Sequence, residues 1–221
     1  FALCERLGEH ERARASAIEL EARLPWDASL GLFLVEHDLR HERSDEAWQR
    51  FDRLLARFSH EEETLVRLAD LANVWGDGDR AMRAWDATLA RNPRSPRAIS
   101  AVGELHFQRG RRELARKTWA RLREVTPRPA GHLAVADVLL DHGLVEEALA
   151  EVESVRVGDA GGAAAQRTLA LARERQKNRT AAIAAWNKVL TLAGVGDDGV
   201  ALRREARSHL ATLWSDEGRL R

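Results

Sequence analysis

Tyrosine is missing from these 221 residues, cysteine occurs once and proline five times. The single cysteine, Cys4, excludes an intrachain disulfide and a cysteine-rich zinc site. So few prolines, in a chain rich in Ala and Leu and with 32% charged residues, suit helix. Neither sign of charge is in excess. The 35 Lys plus Arg match the 35 Asp plus Glu, so nothing global points to nucleic acid or an anionic membrane. Most of the cations are Arg and they form no basic stripe, which argues against RNA-reading repeats. No apolar run approaches the ~18 residues of a transmembrane helix. No signal peptide is visible, and a soluble chain is expected, with cytoplasm and periplasm both open. Phe1 to Leu7 reads as the tail of a helix whose beginning is missing, so the chain is expected to be a piece of a longer protein.

What is present is a repeat. The stretch from Gly76 to Pro93 opens with turn residues and places Ala81, Trp85 and Leu89 at four-residue steps, one face of a helix. It closes on Asn92-Pro93, a helix stop. The phrase returns 34 residues on as Gly110, Ala115, Trp119 and Pro127. The full register of the small residue is Ala13, Ala47, Ala81, Ala115, Ala148 and Ala182. Four residues after each stands a core candidate: Ala17, Phe51, Trp85, Trp119, Val152 and Trp186. A second periodic series pairs an apolar residue with a generally small one: Leu34-Val35, Leu68-Ala69, Val102-Gly103, Val135-Ala136 and Leu169-Ala170. Each unit is thus two helices of about 14 residues that must stack on neighbours to bury their apolar faces. The expected helices span 10–23, 29–42, 45–57, 62–75, 79–91, 97–109, 112–125, 130–142, 145–156, 163–176, 179–192 and 201–217. The units are a partial one at 1–27, then 28–61, 62–95, 96–128, 129–162 and 163–196, with 201–217 as a terminal helix in a single array.

A 34-residue period with this pattern resembles the tetratricopeptide repeat. Gly76, Gly110 and Gly143 match its turn glycine; the Ala series matches its second-helix Ala; Phe51, Trp85, Trp119 and Trp186 match its aromatic; Pro25, Pro93 and Pro127 match its terminator. Glu42 and Lys177 replace the turn glycine, Val152 the aromatic, and no first-helix tyrosine exists. The resemblance implies an all-α, right-handed solenoid whose concave groove is lined mainly by the first helix of each unit and binds peptides or proteins. Leu32, Val66, Ser100 and Leu133 stand where the family's carboxylate clamp needs Lys, so a chaperone-tail ligand is not expected.

By register, the residue after each apolar-small pair faces that groove: Glu36, Asp70, Glu104 and Asp137. Leu171 breaks the series. Asn73, Phe107, Gln108 and Asp141 are neighbouring groove positions, and Trp75, at a helix end, is a contact candidate. A wall of one sign attracts a partner of the other, so the expected ligand is a basic or amphipathic protein segment. The competing expectation is a solvated helix face, its acids paired with Arg40 and Arg67. Trp85, Trp119 and Trp186 are expected in the core, as is Trp214 by register; Trp48 is expected half-buried and Trp26 in a loop.

No catalytic chemistry is expected, nor a metal or other cofactor. His37 and His41 are spaced for two ligands on one metal, but no third ligand is indicated and they read as surface histidines. Gly194 to Gly199 spells Gly-x-Gly-x-x-Gly after a helix rather than a strand, and reads as a flexible loop. Ser, His and Asp form no nucleophile pattern. The expected function is a non-catalytic protein-interaction scaffold. The alternatives are a spacer or assembly segment of a larger bacterial secretion or envelope protein, self-association included, or a regulatory domain attached to an enzyme.

Overall fold

The turns set the architecture. In a computed structural model, which describes residues 8–155 and 162–219 and side chains as far as Ser215, every helical hairpin turns on one residue of positive φ. Gly8, Gly76, Gly110 and Gly143 hold φ near +74°, and Glu42 and Lys177 take the same left-handed region at 61° and 58°. At five of these turns the N–H of the next residue reaches back five places: Arg43 to the Asp38 carbonyl, Asp77 to Ala72, Arg111 to His106, Leu144 to Leu139, Asn178 to Arg173, all at 2.8–2.9 Å. That is the Schellman helix stop, repeated at the sequence period. Its geometry survives the two departures from glycine because the space around the turn is open: a Cβ at Gly8, Gly76, Gly110 or Gly143 would meet no atom within 4 Å.

The chain divides at Arg111 into two units. The first holds α1 (His10–Arg23), α2 (Ala28–Arg40), α3 (Ser44–Arg57), α4 (Glu62–Val74), α5 (Gly78–Arg91) and α6 (Pro96–Gln108). Consecutive helices pack against each other, and α2 also packs against α4. Asp27, Asp77 and Ser95 cap α2, α5 and α6 through side-chain oxygens that accept backbone N–H bonds. One cluster built on Phe51, Leu68, Trp85, Val102 and Leu105 forms its core.

The second unit holds α7 (Arg112–Ala120), α8 (Leu122–Val125), α9 (Ala130–Asp141), α10 (Val145–Ser154), α11 (Ala163–Arg175), α12 (Arg179–Leu192) and α13 (Asp197–Arg219). Here α9 packs on α11 and α11 on α13, as alternate helices do in a solenoid. Trp119 and Trp186 are fully buried. Each is stacked by a histidine 23 residues later: His142 at 4.9 Å and His209 at 4.6 Å between ring centroids.

The all-α repeat expected from the sequence is what forms, with helix ends within one or two residues of expectation in most cases. Three expectations need correction. The 112–125 helix is broken at Arg121, whose N–H turns back to the Thr118 carbonyl three residues away. The short α8 that follows lies so close to α9 that a Cβ on Gly131 would meet the Leu122 and Thr126 carbonyl oxygens at 3.0 and 2.8 Å. The last helix begins at Asp197 rather than 201, because Asp197 and Asp198 suit a helix N-terminus. Gly199, read as loop, is therefore helical, and the Gly194 carbonyl packs where its Cβ would be. Trp214 is 52% exposed, not core. Arg179 at the start of α12 donates to the Leu213 carbonyl, while Trp214 beside it stays largely in solvent. The helix tail expected at Phe1 to Leu7, with Cys4, and most of the 157–162 boundary lie outside the described residues.

Candidate functional site

The main candidate is a cleft of about 430 Å³ between α2 and α4 in the first unit. Ser29, Leu32, Phe33 and Glu36 line it from α2; Arg67, Asp70, Leu71 and Val74 line it from α4. Both sets follow i, i+3, i+4, i+7, so each helix offers one continuous face. Trp75 closes the end of the cleft and is 39% exposed; Val74 beside it is 82% exposed. On its other side Trp75 borders a polar cleft of about 500 Å³ with Trp48, Asp77, Asp79 and Arg109.

Of the expected groove residues, this cleft brings together Glu36, Asp70 and Trp75. Neither acid is bare. Glu36 accepts from Arg40 at 2.5 Å and Asp70 from Arg97 at 2.5 Å, both pairs part-exposed. Of the two arginines expected to pair with the acids, Arg40 holds Glu36; Arg97 holds Asp70, and Arg67 lines the cleft itself. Such pairs leave a lining of nearly balanced charge over an apolar floor of Leu32, Phe33 and Leu71. Elsewhere in this unit Glu104 accepts from Gln108 at 2.8 Å, Asn73 and Gln108 are exposed, and Phe107 is half-buried.

In the second unit Asp137 accepts from the Thr168 hydroxyl at 3.0 Å and lies 3.6 Å from Arg167. Burial pushes its carboxyl above the usual range, the Thr168 and Arg167 contacts opposing but not cancelling that shift. Asp141 is exposed, 4.0 Å from Arg175. Arg167 also grips Glu205 through its Nε at 2.8 Å.

Sequence reasoning missed a buried charge cluster two residues from Glu36. Asp38 is fully buried. Arg14 donates to it at 2.6 Å, and Arg50 and Arg43 stand 3.8 and 3.9 Å away. The sequence signal was weak: the equivalent register positions hold buried Ala72 and Leu139 but also half-buried His106 and Arg173, so a polar residue at 38 does not stand out. His37 and His41, expected at the surface, are also misread. His37 is 2% exposed and His41 half-buried, and both meet His10 of α1.

A serine, a histidine and a carboxylate do meet in the second unit. His132 Nδ1 lies 3.0 Å from both Glu151 and the Ser154 hydroxyl, while Nε2 faces the Arg128 guanidinium. A proton relay needs the hydroxyl and the carboxylate on opposite ring nitrogens, and here they share one.

No protein-family model and no curated protein matches this chain. Solved structures do resemble it. The C-terminal part of a TPR repeat-containing protein from Cytophaga hutchinsonii superposes with a TM-score of 0.57 at 13% identity, over 91% of this chain and 84% of that one. A thermophilic TPR protein from Thermus thermophilus matches at 23% identity over 84% of this chain and all of that one, with a TM-score of 0.49. The likeness is one of fold: the chain is folded as a tetratricopeptide-type helical repeat.

Proposed function

We propose that this repeat array is a protein-interaction scaffold and that the α2–α4 cleft receives an amphipathic segment of a partner. The observation that carries this is the cleft's make-up. Leu32, Phe33 and Leu71 offer an apolar floor, Glu36 and Asp70 stand on either side, and Val74 and Trp75 remain accessible at one end. The volume lies within the range of pockets that bury a side chain or a small group. Because Arg40 and Arg97 already neutralise the two acids, an inserted apolar side chain supplies most of the affinity, and a flanking Lys or Arg competes with the internal arginines.

Selection from a displayed peptide library against the whole chain tests it. The selected peptides should carry an apolar anchor beside a basic residue. Val74→Arg, at an accessible site that leaves the core alone, should weaken them at least 10-fold; Glu36→Gln with Asp70→Asn should weaken them less and reduce their salt dependence. Selected peptides indifferent to Val74→Arg would refute the cleft.

A second proposal, an assembly segment packing on other domains or copies, draws on exposed Trp26 and Trp214, at 69% and 52%. Concentration-dependent mass that falls on Trp26→Ser or Trp214→Ser would favour it.

A further inference from the structure

We propose that His10, His37 and His41 form a three-imidazole site for a divalent transition metal of zinc type, joining α1 to α2. His37 on α2 and His41 at its C-cap stand four residues apart, and His10 at the start of α1 completes the set across the helix contact. His41 lies between the other two, its ring centroid 4.5 Å from His10 and 4.3 Å from His37. One ligand nitrogen from each ring lies within 4.8 Å of the others. A zinc ion with bonds of about 2.0–2.1 Å needs its nitrogens about 3.3 Å apart in a tetrahedron, so side-chain rotations of about an ångström close the site.

The surroundings fit a metal better than a chance stack. His37 Nε2 lies 3.2 Å from the His10 carbonyl oxygen. A carbonyl only accepts, so Nε2 carries the proton in this arrangement and Nδ1 holds the lone pair of the ring. A ring held by one N–H to a backbone carbonyl while its other nitrogen binds is the usual outer arrangement of a metal-bound histidine. The same Nδ1 stands 3.7 Å from Asp38, whose carboxylate also faces Arg14, Arg43 and Arg50. His41 Nε2 is buried and has no hydrogen-bond partner among the described residues. A buried polar nitrogen left in that state calls for a ligand. The nearby cations do not repel an ion outright: Arg14 is engaged by Asp38, and Arg43 by Glu11. Neutral imidazoles select Zn²⁺, Ni²⁺, Co²⁺ or Cu²⁺ over Mg²⁺ or Ca²⁺. The ion would clasp the first helix of the described array to the second.

Purified full chain without a histidine tag, stripped by chelator, is titrated with Co²⁺ by visible absorption and with Zn²⁺ by calorimetry. One equivalent should bind, with Co²⁺ bands of low-coordinate nitrogen ligation. At free Zn²⁺ about 100-fold above Kd the melting temperature should rise by about 5–10 °C. Mg²⁺ should do nothing. His10→Gln and His41→Gln, at partly exposed positions, should each weaken binding at least 10-fold with the helical signal intact, whereas His209→Gln and Cys4→Ser should not. Absence of saturable Zn²⁺ binding, or binding that survives the His10→Gln, His41→Gln double variant, would overturn the site and leave a histidine stack.

Discussion

Glu36 and Asp38 are two residues apart on α2 and live in different media. Glu36 has 45% of its side chain in solvent and one arginine, Arg40, from its own helix. Asp38 has none in solvent and draws Arg14 from α1, Arg43 from the turn and Arg50 from α3. One face of the helix is available to a partner; the other joins three segments of chain. A composition that counts both as acids hides this, because the cost of a charge depends on the water it has lost and the partners that replace it.

The largest effect should come from Asp38→Asn. The substitution keeps the shape and removes the charge, leaving three guanidinium groups around a neutral amide. Breaking a buried pair this way should destabilise the first unit by about 3 kcal/mol or more, read from urea unfolding of the variant beside the parent. A loss under about 1 kcal/mol would put Asp38 in the same class as Glu36 and dissolve the contrast.

Much of this was open to a reader of the sequence, and the part that was not has a physical cause. The period placed the helices, the turns and Trp85, Trp119 and Trp186, because those depend on local chemistry and on burial that recurs every unit. It failed where one unit departs from the others. Asp38 was passed over because an acid on a helix is read as solvated, and its register position is mixed, holding Ala72 and Leu139 but also His106 and Arg173. His10 joined no cluster because its partners are 27 and 31 residues away and no spacing rule spans a helix contact. Trp214 kept the register but lost its cover. Glu36 and Asp70 were named as groove positions, but not that Arg97 of α6 would reach across to hold Asp70.

The end of α2 sharpens the comparison from the backbone side. Glu42 occupies the left-handed conformation that glycine holds at four equivalent turns. A side chain there is strained by about 1 kcal/mol. Glu42→Gly should therefore stabilise the first unit by about 0.5–1 kcal/mol, less what the unfolded chain gains in freedom. Lys177→Gly should act likewise in the second unit. Destabilisation in either, by thermal melting, would mean that the side chain makes a contact worth more than the strain.

Asp137 supplies an intermediate case, in register with Glu36 but partly withdrawn from water. Its carboxyl is raised by burial, so the folded state holds its proton to higher pH than the unfolded state does. Stability from this group is then greatest at low pH and falls as pH rises from the unfolded value near about 3.9 through the folded one. Asp137→Asn, which still accepts from Thr168, removes that fall. Relative to the parent, the variant should gain stability between about pH 3 and pH 7, by less than about 1 kcal/mol because the site is screened. A relative loss over that range would mean that the Arg167 contact outweighs burial.

The smallest stability effect belongs to Glu36→Gln. An exposed i,i+4 pair contributes about 0.3–0.5 kcal/mol, so unfolding should move by no more than that. The value of the variant lies in the ratio. If Glu36→Gln leaves stability alone and yet alters peptide binding at the α2–α4 cleft, while Asp38→Asn lowers stability and leaves the affinity of the remaining folded protein unchanged, the two faces of α2 are separable. If Glu36→Gln instead destabilises the unit as much as Asp38→Asn does, Arg40 is a structural partner, and the cleft has no acid to offer a ligand on that side.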